Sequence, residues 1–273
     1  MRERSERTVG AVTRRPVLWW VRFLAGFVVL YGTLAGLAEI DATGRYGLAI
    51  LAGVLLVALL VESVLYGCAP ADALRLLGFG RPTGRSLVVA AAVCVPVLCL
   101  PWLLAGVGPV VRPGWPWLLV GAFAFHGLAE ELVWRGYAYR RLREGRSFGR
   151  AVVLSMPLVA AAHVPVLLGS GLAVGSAALI VAAVTSVPFA YLWEMGRGTI
   201  WAPAMLHTAI DAFKLVVIPV GATLTFSLAL AAVSVVVPLL VLAVPRTSDR
   251  RERRATAARP APSRRPYAGA RPS

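Results

Sequence analysis

Apolar residues run through this chain in blocks, and the blocks have the length of a membrane crossing. An α-helix rises about 1.5 Å per residue, so about 20 apolar residues cross the hydrocarbon core. Runs of that order lie at 17–38, 46–66, 86–107, 115–139, 150–169, 170–193, 200–217 and 222–244. The pattern predicts an all-α, polytopic membrane bundle of about eight transmembrane helices. Only Gly169, Ser170 and Gly171 part the fifth run from the sixth. No polar gap inside 17–244 is long enough for a separate soluble domain. The expected organisation is a basic tail (1–16), a membrane domain (17–244) and an Arg/Pro-rich tail (245–273) whose composition predicts disorder. The first run exceeds a signal-peptide core and no small-x-small cleavage site follows it, so it reads as a signal-anchor.

Composition agrees: 58% of residues are hydrophobic and the mean hydropathy is +0.74, against about 45–50% apolar residues in soluble domains. The net charge of +15 changes the picture more. With the N-terminus inside, twenty-three basic residues fall in the two tails and in the connections around Arg75–Arg85, Arg140–Arg150 and Arg197. The opposite side holds only Arg45, Arg112 and Lys214. That asymmetry follows the positive-inside rule and places both termini in the cytoplasm. The basic tails would attract anionic lipid. No basic folded surface remains to grip a duplex, so nucleic acid is excluded as a partner.

Finer features fit the same frame. Trp19, Trp20, Trp115, Trp117 and Trp201 stand near span ends, as an interfacial belt would. Arg22 and Glu62, also near span ends, read as snorkelling residues. Cys68, Cys94 and Cys99 show no redox or metal spacing and read as packing residues. Arginine displaces lysine everywhere except at Lys214, which suggests a GC-rich bacterial genome and hence a bacterial plasma membrane.

The candidate chemistry lies in ionisable residues placed deep in apolar runs, where each is costly and therefore a functional hypothesis. HGLAEELVWRG carries His126, Glu130, Glu131 and Arg135; LVAAAHVP carries His163; WAPAMLHTAID carries His207 and Asp211. His126 and Glu130, Glu131 and Arg135, and His207 and Asp211 are each four apart, so each pair shares a helix face. Glu130, His163 and His207 lie at similar depth, roughly 10–18 Å from the cytoplasmic end of their runs at ~1.5 Å per residue. A Glu–His–His set activates water in one of two ways. The glutamate acts as a general base, or the three residues ligate zinc with an open position. The remaining histidine and Asp211 can steady an oxyanion. The same set would also suit a proton- or ion-binding transporter.

EExxxR at Glu130–Arg135, a histidine on the next run and HxxxD at His207–Asp211 resemble the motifs of the CPBP intramembrane proteases. That family includes the CAAX prenyl endopeptidases and Abi-type immunity proteins. The approach YLWEMGRGTIW, a tight turn before a tryptophan-started helix, is similar as well, and the similarity covers about residues 80–244. The resemblance implies a membrane endopeptidase acting on a membrane-associated peptide or protein. Glu130 would be the base that activates water and His163 would assist it. His207 and Asp211 would stabilise the oxyanion, while Glu131 and Arg135 would hold the site. In a metal-dependent member, Glu130, His163 and His207 would be the ligands. The sequence departs from the family's FxxxH, with Val159 where the aromatic would stand. A non-catalytic scaffold or immunity protein of the same fold is the rival reading.

Overall fold

The protein is described by a computed structural model, which covers residues 16–41, 44–104 and 110–246. The expectations for the two basic tails fall outside these residues. The helices are α1 (Pro16–Ala38), α2 (Gly47–Tyr66), the short α3 (Pro70–Leu76) and α4 (Gly84–Leu104). They continue as α5 (Trp115–Arg143), α6 (Phe148–Ala161), α7 (Val164–Met195), α8 (Trp201–Asp211) and α9 (Thr223–Leu239). Two residue pairs form a minimal antiparallel ladder, β1 (Val110–Val111) with β2 (Val216–Val217). Among the described residues, α1, α2, α5, α7 and the stretch Thr223–Ala243 are long and apolar enough to cross a membrane.

Burial sorts these helices into one centre and a surround. In its most apolar window, α5 has 67% of residues buried, against 28% for α1 and 11% for α7. In lipid, tails are as apolar as leucine, so close packing rather than expulsion from water holds such helices together. The buried positions of α1, namely Phe23, Phe27, Leu30 and Leu34, recur at helical spacing and form one stripe. That stripe meets α5 through aromatic rings: Phe23 stacks on Tyr137 at 6.0 Å between centroids, and Phe27 lies 5.9 Å from Trp134. The other side of α1, with Val17, Val21, Leu24 and Val28, is exposed and suits acyl chains.

Contacts between connections sort the ends of the helices into two groups. At one end, Arg140 and Arg141 donate to the two carboxylate oxygens of Glu62. Arg143 and Arg246 donate to Glu194 at 2.6 and 2.7 Å, and Trp201 Nε1 donates to the Gly80 carbonyl at 2.9 Å. At the other end, Trp117 Nε1 donates to the Arg45 carbonyl at 3.0 Å, and the Arg112 amide donates to the Leu215 carbonyl at 2.9 Å. Connections rich in arginine thus supply contacts at the first end, and Arg45 and Arg112, two of the three basic residues assigned to the opposite side, supply contacts at the other.

Three details differ from the sequence reading. Glu62 does not snorkel; it is fully buried between two guanidinium groups, one of which lies 3.3 Å over the Tyr66 ring. The seventh apolar run is helical only over Trp201–Asp211 and then tightens into a 3₁₀ turn (Ala212–Leu215) and β2. Eleven residues rise about 16 Å, short of a full crossing. The β-branched run Val216, Val217 and Ile218 with Pro219 beyond it disfavours further helix. The fifth and sixth runs part at Gly171, as their spacing suggested, with φ +81°, a conformation open to glycine. The chain there doubles back so tightly that a Cβ on Gly175 would lie 2.2 Å from the Leu167 Cα. An earlier break, after Ala161, puts His163 at a turn ahead of Pro165.

Candidate active site

The site is built on α5, and α5 is wound unusually there. Phe123–Ala129 and Leu132–Tyr139 form π-helical turns. Such wider turns are rare and occur chiefly at functional sites. Here they allow two consecutive side chains, Glu130 and Glu131, both to face the bundle interior. The second contributor, α8, comes close because Gly127 has no side chain. A Cβ there would stand 2.6 Å from Thr208 Oγ1 and 3.1 Å from the Ala204 carbonyl.

His207 on α8 bridges the two glutamates. Carboxylates only accept, so His207 Nδ1 donates to Glu131 Oε1 at 2.7 Å. Arg135 donates to that same oxygen at 2.9 Å. The Phe189 ring stacks on His207 at 5.4 Å and supports the Arg135 guanidinium 4.5 Å from its centroid. His207 Nε2 then lies 3.4 Å from Glu130 Oε2 and 3.5 Å from Asp211 Oδ2. Glu131 and Arg135 are buried, and Glu131 Oε2 and Arg135 Nη2 have no hydrogen-bond partner among the described residues. Glu130 by contrast keeps 17% of its side chain exposed.

Glu130 has a second partner. His126 Nδ1 donates to Glu130 Oε1 at 2.7 Å and lies 3.7 Å from Asp211 Oδ2. The other ring nitrogen, His126 Nε2, accepts from Lys214 Nζ at 2.8 Å. Lys214 also stands 3.5 Å from Asp211 Oδ1. A directed chain therefore runs from the Lys214 ammonium through the His126 ring to the Glu130 carboxylate.

These residues border a cavity of about 870 Å³, within the size range of ligand pockets. Its polar side carries His126, Glu130, Arg135, His207, Asp211 and Lys214, and Arg112 joins them. Its other walls are apolar, among them Val174, Ala178 and Val181 of α7 and Leu228 and Ala231 of α9. His163 lines the cavity too, but its Nδ1 donates to the Val159 carbonyl at 2.9 Å. It thus shares the chamber with Glu130 and His207 without touching either in the hydrogen-bonded cluster.

The metal reading meets this geometry poorly. Among the described residues, the group whose ligand atoms lie within 4.8 Å of one another is His126, Glu130 and Asp211. The expected set of Glu130, His163 and His207 is not gathered in this way. Within the group that is, both His126 nitrogens are engaged, one as donor to Glu130 and one as acceptor from Lys214. A ring that carries its proton toward the carboxylate has no lone pair there for a metal. The Lys214 ammonium would also repel a dication. The residues as arranged do not fit a zinc ion.

Two residues of this cluster lay outside the expected catalytic set. His126 was signalled by its spacing of four from Glu130. Lys214 gave no such signal, since its position read as a loop charge; its side chain instead lines the cavity with 27% exposure.

The apolar helices and the buried ionic chamber define a multi-pass helical membrane protein with a polar site set among its helices. Residues 112–213 match the family model described as type II CAAX prenyl endopeptidase Rce1-like, a model of the CPBP/CAAX protease family. The matched segment holds EExxxR, His163 and HxxxD. No match was found among curated proteins.

Proposed function

We propose that the protein is an intramembrane endopeptidase in which Glu130 activates water against a peptide carbonyl. The observation that carries this reading is the Glu130 carboxylate itself, open to the cavity yet held by His126 at 2.7 Å and faced by His207 Nε2 at 3.4 Å. In this scheme Glu130 takes one proton from water as the water oxygen bonds to the carbonyl carbon. The tetrahedral intermediate collapses with cleavage of the C–N bond, and Glu130 returns the proton to the leaving amine. The products are a carboxylate and an amine. His163 assists from the cavity wall, where donation through Nδ1 leaves Nε2 for the water or the substrate. His207, its ring fixed by Glu131, faces the developing oxyanion. Asp211, opposite the Lys214 ammonium, accepts rather than donates, so its part is to position His207 and Lys214. Glu131 and Arg135 hold His207 from behind.

The substrate is a membrane-associated peptide or protein whose apolar segment suits the apolar walls of the cavity. The same reading places the membrane domain in a bacterial plasma membrane with both termini cytoplasmic, and the basic tails against anionic lipid. The charge asymmetry of the connections supports the orientation. Cysteine labelling from outside should reach positions near Gly44 and Pro113 and miss Arg146; labelling at Arg146 would reverse the topology.

The test of the chemistry is cleavage of a membrane peptide in liposomes by wild type and Glu130→Gln. The amide keeps volume and loses the base, so turnover should fall about 10²–10⁴-fold while insertion and yield stay normal. Unchanged turnover would end the endopeptidase reading.

A further inference from the structure

The only lysine in the chain stands at the site rather than on the surface, one residue past the segment that matches the family. We propose that Lys214 is a positioning residue that fixes the tautomer of His126 and thereby keeps this site a carboxylate base instead of a metal site. The inference rests on the reading of Glu130 as the base and adds how that base is held.

The argument follows from the donors. An ammonium has hydrogens to give and nothing with which to accept. At 2.8 Å from His126 Nε2, Lys214 requires that nitrogen to be the acceptor. The ring proton then resides on Nδ1, 2.7 Å from Glu130 Oε1, where it meets a carboxylate. Which nitrogen of a histidine is free to ligate is set by the bond that the other one makes. Lys214 sets it against ligation, because Nδ1 is the nitrogen that faces both Glu130 and Asp211. The ammonium also offsets the charge of Asp211 at 3.5 Å. A compact point charge suits this place between a ring nitrogen and a carboxylate oxygen, whereas the planar guanidinium found at every other basic position in the chain has a wider fork.

With Lys214 absent, Nε2 can take the ring proton, and the Nδ1 lone pair joins Glu130 and Asp211 as three donors within 4.8 Å. The loss of this lysine should therefore create a zinc site. The full chain is purified in detergent as wild type, Lys214→Ala, Lys214→Ser, Lys214→Arg and Lys214→Ala/His126→Ala. Each is dialysed to equilibrium against zinc, and bound metal is counted by elemental mass spectrometry. Wild type and Lys214→Arg should hold little zinc. Lys214→Ala should hold close to one per chain, and the double variant should lose it again. Lys214→Ser carries the same test if the alanine variant folds poorly. In the peptide-cleavage assay with chelator present, Lys214→Ala should lose about 10–100-fold, the range for residues that orient a first-shell ligand. The loss should fall in kcat with KM little changed, and Lys214→Arg should recover part of it. Stoichiometric zinc in wild type, no gain in both neutral variants, or unaltered kcat in Lys214→Ala would each overturn the proposal. Metal counting does not depend on turnover, so full activity in Glu130→Gln would remove the endopeptidase reading without deciding the tautomer.

Discussion

Helix α5 carries two buried ionic networks, and they differ in what surrounds them. Near its C-terminal end, Glu62 is enclosed by Arg140 and Arg141, and Glu194 by Arg143, Arg246 and the Tyr139 hydroxyl at 2.7 Å. Each carboxylate there faces two guanidinium groups, and none of these residues borders the cavity. Two turns earlier, Glu130 and Glu131 face imidazoles and a single arginine, with Lys214 behind His126, and Glu130 opens to the cavity. The first network pairs its carboxylates with guanidinium groups away from the cavity, an arrangement that holds helices together. The second contains rings that exchange protons and a carboxylate within reach of a substrate. The contrast lies in partner and access rather than in burial, because Glu62 and Glu131 are both fully buried.

The largest expected effect falls on the second network. His207→Ala removes the ring that touches Glu130, Glu131 and Asp211 and should cost about 10²–10⁴-fold in turnover. Combined with Glu130→Gln it should add little, because residues acting as one unit are not additive. Additive losses in the peptide-cleavage assay would mean that the two residues act separately.

Arg135→Ala should affect folding as well as activity. It leaves Glu131 buried without a cation, a change that costs about 3–5 kcal/mol and should lower folded yield and Tm. Replacing both partners, as Glu131→Gln with Arg135→Gln, should restore yield but not turnover. Equal yields for the single and double variants would show that the pair is not a buried ion pair.

A smaller and purely geometric effect is expected at Gly127→Ala. The added methyl meets Thr208 Oγ1 and the Ala204 carbonyl, so α8 must shift at a cost of about 1–3 kcal/mol. Thermal unfolding should show that loss, and turnover should fall too, because the shift moves His207 from Glu130. The smallest effect belongs to the exposed pair Arg75 and Asp72, with side chains 75% and 57% exposed. Asp72→Asn should change stability by about 0–1 kcal/mol, and a larger loss in the same assay would blur the line between surface and buried pairs.

What the sequence disclosed followed from local spacing. The pairs four apart, His126 with Glu130 and Glu131 with Arg135, are both hydrogen-bonded, even though the turns between them are π-wound rather than α. The Gly171 break was legible because three small residues interrupt an apolar run. The tight turn before Trp201 was legible as well, and Arg197 and Gly198 both adopt positive φ there. Contacts between distant segments were not legible. Glu62 and Arg141 are 79 residues apart, so Glu62 looked like a lone charge near a span end. Lys214 lies 88 residues from His126 and looked like a loop charge on the sparsely charged side. Depth in the membrane put His163 level with Glu130, but depth says nothing of azimuth, and the ring bonds to its own helix at Val159.

The central claim is that one network on α5 performs chemistry and the other holds structure. The most direct test compares Glu130→Gln with Glu62→Gln in one preparation, measuring Tm and turnover per folded molecule. Glu130→Gln should keep the wild-type Tm and lose about 10²–10⁴-fold in turnover. Glu62→Gln should lose Tm, since Arg140 and Arg141 lose the fully buried carboxylate that they share, and should retain turnover in the fraction that folds. A stable, fully active Glu130→Gln protein, or a Glu62→Gln protein that melts normally yet cannot cleave, would contradict the account.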